Sequence, residues 1–185
     1  MKKRAQNQLP TQEYLNECFR YDPKTGYLFW KVRPRHHFNT SCGMKAVNGR
    51  LGNAVAGCLN EYGYSRLQVN GKGYYSHRVI WCLLTGEFPP EEIDHINHKR
   101  NDNRMSNLRI VTHQENQKNR KMRNDNTSGK TGLSWHKRDE KWQVDIKVDG
   151  KTTYIGSFND KAEAIKARKA ANIKYGFHAN HGGAK

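Results

Sequence analysis

Residues 94–116 read DHINHKRNDNRMSNLRIVTHQEN, an acid beside a histidine followed by a crowd of asparagines and arginines. These are residue types that phosphodiester hydrolysis needs. A water must lose a proton in line with the leaving oxygen, and neutral histidine, with an unperturbed pKa of about 6.5, takes that proton near neutral pH. The charge that grows on phosphorus must also be met, which a divalent cation held by one or two oxygen ligands does. His95 suits the first role. Asp94 offers a hard anionic ligand, and an asparagine amide carbonyl offers a neutral second one. Neighbours in a regular strand face opposite sides, however. Either the backbone bends here, or one of Asp94 and His95 stands outside the site. Asn97, Asn101, Asn103 and Asn107 suit a long loop, because Asx side chains close turns on their own backbone. Some of these amides are therefore structural.

The elements that position this stretch follow from patterning. Residues 11–21 have a capping-type Thr11 and apolar Tyr14, Leu15, Cys18 and Phe19 at helical spacing, which predicts a short helix. An Asp-Pro turn and a strand over residues 27–32 come next. Residues 34–50 show no period and read as loop, with His36 and His37 facing phosphate rather than ligating metal. Residues 64–69 form a strand, Asn70-Gly71 a hairpin turn, and the return strand runs through Tyr75. Ser76 is expected to cap a helix with Val79, Ile80, Leu83 and Leu84 on one face. Gly86 ends it and Pro89-Pro90 prevents continuation. Residues 118–132 are basic, polar and glycine-containing, a linker whose Lys118, Arg120, Lys121 and Arg123 can track a phosphate backbone. Beyond it, WQVDIKV alternates strictly, with Trp142, Val144, Ile146 and Val148 on one face and Gln143, Asp145 and Lys147 on the other. Asp149-Gly150 is a hairpin turn, an earlier strand makes three, and a helix runs from Asp160 and Glu163 to a Gly176 stop. Its Ala164, Ala167, Ala171 and Tyr175 share one face.

Thirty-three Lys and Arg against 17 Asp and Glu give a net charge of +16, the footprint of a polyanion binder. A membrane partner is not expected, since no apolar run of about 18 residues or amphipathic helix with a bulky apolar face is evident. The basic start has no apolar stretch behind it, so it is not read as a secretory signal. Cys18, Cys42, Cys58 and Cys82 lie far apart and read as reduced thiols of an intracellular, cytoplasmic protein.

The stretch SHRVIWCLLTGEFPPEEIDHINHKRNDNRMSNLRIVTHQENQKNR resembles the HNH nucleases, in particular their phage-borne homing-endonuclease branch. The resemblance implies a ββα unit around one divalent ion, Mg2+ first and Mn2+ as the alternative, in a bacterial cell. Asp94 and Asn116 would bind metal, His95 would activate water, and Asn107 would brace the loop. Residues 128–180 resemble an AP2 domain, a three-stranded sheet and helix whose sheet enters the DNA major groove. Arg138 and Lys147 are the first expected DNA contacts, followed by Trp135, Lys137, Lys141 and Trp142, although Trp142 belongs equally to the core face. His77 is read as a support behind the site, a phosphate contact or a plain helix-start residue. His98 and His113 are weighed as further ligands, with His113 at the surface.

The expected fold class is α+β, a ββα nuclease domain followed by the AP2-like module. The expected divisions are an N-terminal region over 1–60, possible in DNA contact, a nuclease domain over 61–120, a basic linker over 121–130 and the AP2-like domain over 131–185. The reading is a metal-dependent DNA endonuclease acting on double-stranded DNA as a monomer, with a dimer as the other state. A non-catalytic DNA-binding regulator is the alternative. An RNA-binding protein would fit the charge, but the sequence shows no aromatic platform of the kind single-strand readers use. On this division of labour, a chain ending near Asn124 should still cut DNA.

Overall fold

Thr11 starts the first element in the way its position predicts. Its hydroxyl accepts the Tyr14 N–H, and helix α1 runs Gln12–Cys18 with Leu15 and Cys18 buried. The helix stops three residues before Tyr21, because Phe19 turns to extended backbone and opens a strand. The computed structural model describes residues 9–120 and 122–182, which form two compact units, one up to Ile110 and one from Val111.

In the first unit, β1 (Phe19–Asp22) and β2 (Tyr27–Trp30) pair antiparallel. Their turn is held by the Asp22 carboxylate, which accepts from Lys24 N and Thr25 Oγ1. A 3-10 turn follows over Arg35–His37, and then helix α2, Ser41–Leu51. The sequence reading of residues 34–50 as loop is thus corrected. That reading sought an apolar face, and α2 buries none of its residues. It is held instead by the Thr40 hydroxyl, which accepts from Gly43 N, and by Asn48, whose amide exchanges two hydrogen bonds with the Arg33 backbone.

Strands β3 (Cys58–Leu59), β4 (Ser65–Val69) and β5 (Lys72–Tyr75) form one antiparallel sheet. Asn70 and Gly71 both take positive φ, 51° and 75°, as a two-residue hairpin turn requires. Helix α3 spans Ser76–Thr85 and ends at Gly86, which has left-handed backbone. Two details differ from expectation. Ser76 does not cap the helix; it is the first helical residue, and its hydroxyl bonds Ser65 Oγ at 2.7 Å. Leu84 is exposed, and Cys82 takes its place beside Val79, Ile80 and Leu83 in the core. That core gathers Leu15, Phe19 and Leu28 from the N-terminal elements and Leu67 and Val69 from β4. Strand β6 (Glu92–His95) then pairs with β7 (Leu108–Val111), which runs into the second unit.

The second unit begins with helix α4, His113–Gln117, closed by a reciprocal capping box between Thr112 and Glu115. The order β6, β7, α4 makes a ββα run along the chain. Next come β8 (Leu133–His136), β9 (Lys141–Val148) and β10 (Lys151–Phe158), an antiparallel sheet in the order β10-β9-β8, and α5, Lys161–Lys174. Leu133, Val144 and Ala164 form its small core, with Trp142 packed against it. Asp160 caps α5 by accepting from Glu163 N. On the sheet-facing side Arg168 is buried between Ala164 and Ala171, on a face expected to be mostly methyls. Its guanidinium is satisfied by the Asp145 carbonyl and Asn172 Oδ1.

Candidate active site

Asp94 and His95 are both buried at the end of β6, and the strand's alternation gives each its own partners. Asp94 Oδ2 accepts from Arg109 Nε and Nη2 on β7, at 3.0 and 2.7 Å. His95 instead faces Asn103, with Nε2 and Oδ1 3.1 Å apart. Since the amide oxygen accepts, Nε2 carries the ring proton and Nδ1 keeps the lone pair. Two rings pack on His95. Tyr64 lies 5.8 Å away, and His77 meets it edge-on at 5.1 Å.

Burial lowers the His95 pKa, against the opposing pull of the Asn103 hydrogen bond and of the Asp94 and Asp102 charges. The ring is therefore neutral at neutral pH, the form a base requires. His77 is pushed further, down to about 3, by burial and then by His95 and Arg78. Its Nδ1 is buried and has no hydrogen-bond partner among the described residues.

The loop between β6 and β7 shows where the amides go. Asn107 is spent on backbone: its Oδ1 accepts from Asn97 N and its Nδ2 donates to the Asp102 carbonyl. Asn97 donates to Asp102 Oδ2 and accepts from Lys99 N. Asp102 is also clasped by Arg104, whose hydrogen bonds hold its carboxyl down at about 2. His98 sits in a left-handed turn, φ 63°, its N–H on the His95 carbonyl.

Three contributors were not seen in the sequence. Tyr21, on β1, donates its hydroxyl to the Asn103 carbonyl at 3.3 Å and receives the Met105 N–H at 3.0 Å. Asn103 proves to be the partner of His95, and Arg109 that of Asp94. Nothing local marks Tyr21, the last residue of the stretch expected to be helical. Arg109 has only the pairing of β6 with β7 to reveal it.

The β1–β2 turn also supports this loop. Gly26, at φ +77°, lies so close that a Cβ there would fall 2.6 Å from Arg104 N and 2.8 Å from Asn103 C. Gly26→Ala is expected to cost at least about 1–2 kcal/mol for the left-handed backbone alone, plus the displacement of Asn103 from His95. Urea unfolding measures the first. The second appears as a shift of the His95 ring signals in NMR, and unchanged signals would show that the turn does not support the site.

Asn116 stands on α4, partly exposed, and His113 is the exposed first residue of that helix. Within the second unit, the residues after α4 are tied to the C-terminal segment. Lys118 Nζ donates to the Tyr175 carbonyl, His178 N donates to the Lys118 carbonyl, and Gly182 N donates to the Arg120 carbonyl.

The residues expected to meet DNA are dispersed. Lys147 lies exposed on the sheet face away from Val144 and Ile146, and Lys137 and Lys141 are exposed at the β8–β9 end. Arg138 is in the turn after β8 rather than on a strand, ion-paired with Asp139 and 87% exposed. Trp135 stands opposite Trp142 in the register, its ring 5.2 Å away, on the face that carries Leu133 and Val144. Arg120 bonds Gln117, Arg123 pairs with Asp125, and Lys121 lies outside the described residues. A cleft of about 640 Å³ in this unit is lined in part by Arg120, Arg123 and Lys147. No helix among the described residues is long and apolar enough to cross a membrane.

Residues 74–118 match the family model of the HNH endonucleases, so the chain carries an HNH-type endonuclease segment. Over 76 residues the chain is 37% identical to Protein 3.8 of Escherichia phage T7, an alignment that covers 40% of this chain and 63% of that protein. The chain thus spans less than two thirds of that relative's length. No solved structure matches it.

Proposed function

We propose that this protein is a metal-dependent DNA endonuclease of the phage-borne homing type, hydrolysing phosphodiester bonds. The observation that carries this reading is that Asp94, His95, Asn107 and Asn116 all fall inside the HNH-matched segment. The donor set suits a hard divalent ion, since Asp94 and Asn116 offer a carboxylate and an amide oxygen and no thiolate. An ion bound there, Mg2+ first and Mn2+ second, would offset the charge that develops on the scissile phosphate.

The remaining work falls to the chain's own residues. His95 takes the proton of the attacking water at Nδ1, while Asn103 fixes its tautomer at Nε2. His77 packs the ring in place and is too weak a base to compete for that proton. Asn107 keeps the loop closed under His95, and Arg109 orients the Asp94 carboxylate. The AP2-like module supplies DNA contacts through Arg138 and Lys137 in the β8–β9 turn and through Lys147, Trp135 and Lys141 on its strands, with Arg120, Lys121 and Arg123 along the backbone. One active centre per chain cuts one strand per engagement, so the expected product is a nick.

Incubation of supercoiled plasmid with the protein tests the proposal. Open-circular DNA should appear with Mg2+ and vanish with EDTA. A mobility shift without strand breaks under both conditions would instead make the protein a DNA-binding regulator.

A further inference from the structure

Among the described residues, one group of three metal-ligating side chains converges, and it shares no residue with the Asp94 constellation. Glu17, at the end of α1, receives both histidines of the Arg35–His37 turn on one carboxylate oxygen. His36 Nε2 stands 2.9 Å and His37 Nε2 2.5 Å from Glu17 Oε2. These two hydrogen bonds, His37 first, lower the Glu17 pKa. A cation there would take the place of the shared Nε2 protons, since an imidazole ligates through a nitrogen lone pair.

The surroundings fix the arrangement. The His37 side chain is fully covered and stacks on Tyr14 at 4.3 Å, while His36 meets it edge-on at 4.7 Å. His37 Nδ1 lies 3.7 Å from the Sγ of Cys18, a buried thiol. That thiol serves as the outer hydrogen-bond partner that orients a ligating imidazole.

We infer that Glu17, His36 and His37 form a second metal site, which takes a borderline transition cation such as Zn2+. Two imidazoles and one carboxylate are a ligand set that zinc accepts, with the fourth position left to water. Softer nitrogen donors favour zinc, nickel or copper over Mg2+, which prefers oxygen alone. Zinc bonds of about 2.0–2.1 Å in a tetrahedron set the donors roughly 3.3 Å apart. Each histidine therefore needs to open from the Glu17 oxygen by less than about 1 Å, and exposed His36 is free to move. The site joins α1 to the turn after β2, so an ion there clips the N-terminal segment of the first unit to its neighbour.

The test is zinc uptake by the full chain in millimolar Mg2+, which keeps the oxygen-ligand site supplied. Zn2+ is titrated in, the protein is separated by gel filtration, and bound zinc is measured by atomic emission. One Zn2+ per chain is expected. His36→Gln and Glu17→Gln should each weaken uptake by at least about tenfold, the lower bound for losing even an outer partner of a metal site. Their side chains are 65% and 43% exposed, so neither change threatens the fold. Asp94→Ala should leave uptake intact. The inference is overturned if the wild type binds no zinc, if both glutamine variants bind it as the wild type does, or if Asp94→Ala abolishes it.

Discussion

His95→Ala loses cleavage by about 10²- to 10⁴-fold, the usual contribution of a positioned general base, while duplex affinity stays near that of the wild type. The ring is buried, neutral and held through Nε2, so its removal deletes the group that takes the proton and no group that grips phosphate. Alanine also leaves the Asn103 amide without a partner, at about 1–3 kcal/mol for an unsatisfied buried group. His95→Gln, which retains an N–H donor, separates the two effects. It should keep more stability than the alanine variant and be as inactive. Single-turnover plasmid cleavage, duplex binding and urea unfolding of both variants give the comparison. Cutting within a few-fold of the wild type by either variant removes His95 from the chemistry.

A chain ending at Asn124 is expected to lose metal-dependent cleavage, not merely site preference. Here the structure changes the expectation drawn from sequence, which placed all of the chemistry before Asn124. Helix α4, with Asn116, belongs to the second unit, and the residues behind it depend on backbone partners at Tyr175, His178 and Gly182. Truncation removes all three. Helices this short are not stable alone, and the Thr112–Glu115 capping box contributes only about 1 kcal/mol. With Asn116 no longer held, the cost should reach about 100-fold, as a misplacement of about 1 Å brings in other active sites. Amide exchange across residues 112–120 should lose its protection in the truncated chain. Cleavage by that chain within a few-fold of the full-length protein would show that α4 is held without the C-terminal segment.

Much of the scaffold was legible because it rests on local rules. Asn70-Gly71 and Asp149-Gly150 mark hairpins by their tolerance of positive φ, and the structure has all four residues there. The alternation of WQVDIKV likewise sets Val144 and Ile146 into the core. What stayed hidden depends on partners distant in sequence. Helix α2 has no apolar face to betray it, and Ser76 prefers Ser65 to its own helix. At the site, Asp94 and His95 stood out by residue type as candidates for that chemistry. Their partners did not, because Arg109, Tyr21 and Asn103 reach them only through strand pairing and loop closure. The His36-His37 pair was read as a phosphate-facing loop, and Glu17, some 19 residues earlier, supplied the missing third member.

The central claim is that one divalent ion is held by the oxygens of Asp94 and Asn116, with His95 as the base. Iron-driven backbone oxidation tests it most directly, since Fe2+ bound in place of Mg2+ breaks the chain nearest to itself under ascorbate and peroxide. The His36→Gln chain is used so that the second cluster does not contribute. Breaks should flank Asp94 and Asn116, fade in excess Mg2+, and be missing from the chain that also carries Asp94→Ala. Breaks confined to other segments, or the same pattern without the Asp94 carboxylate, would contradict the account.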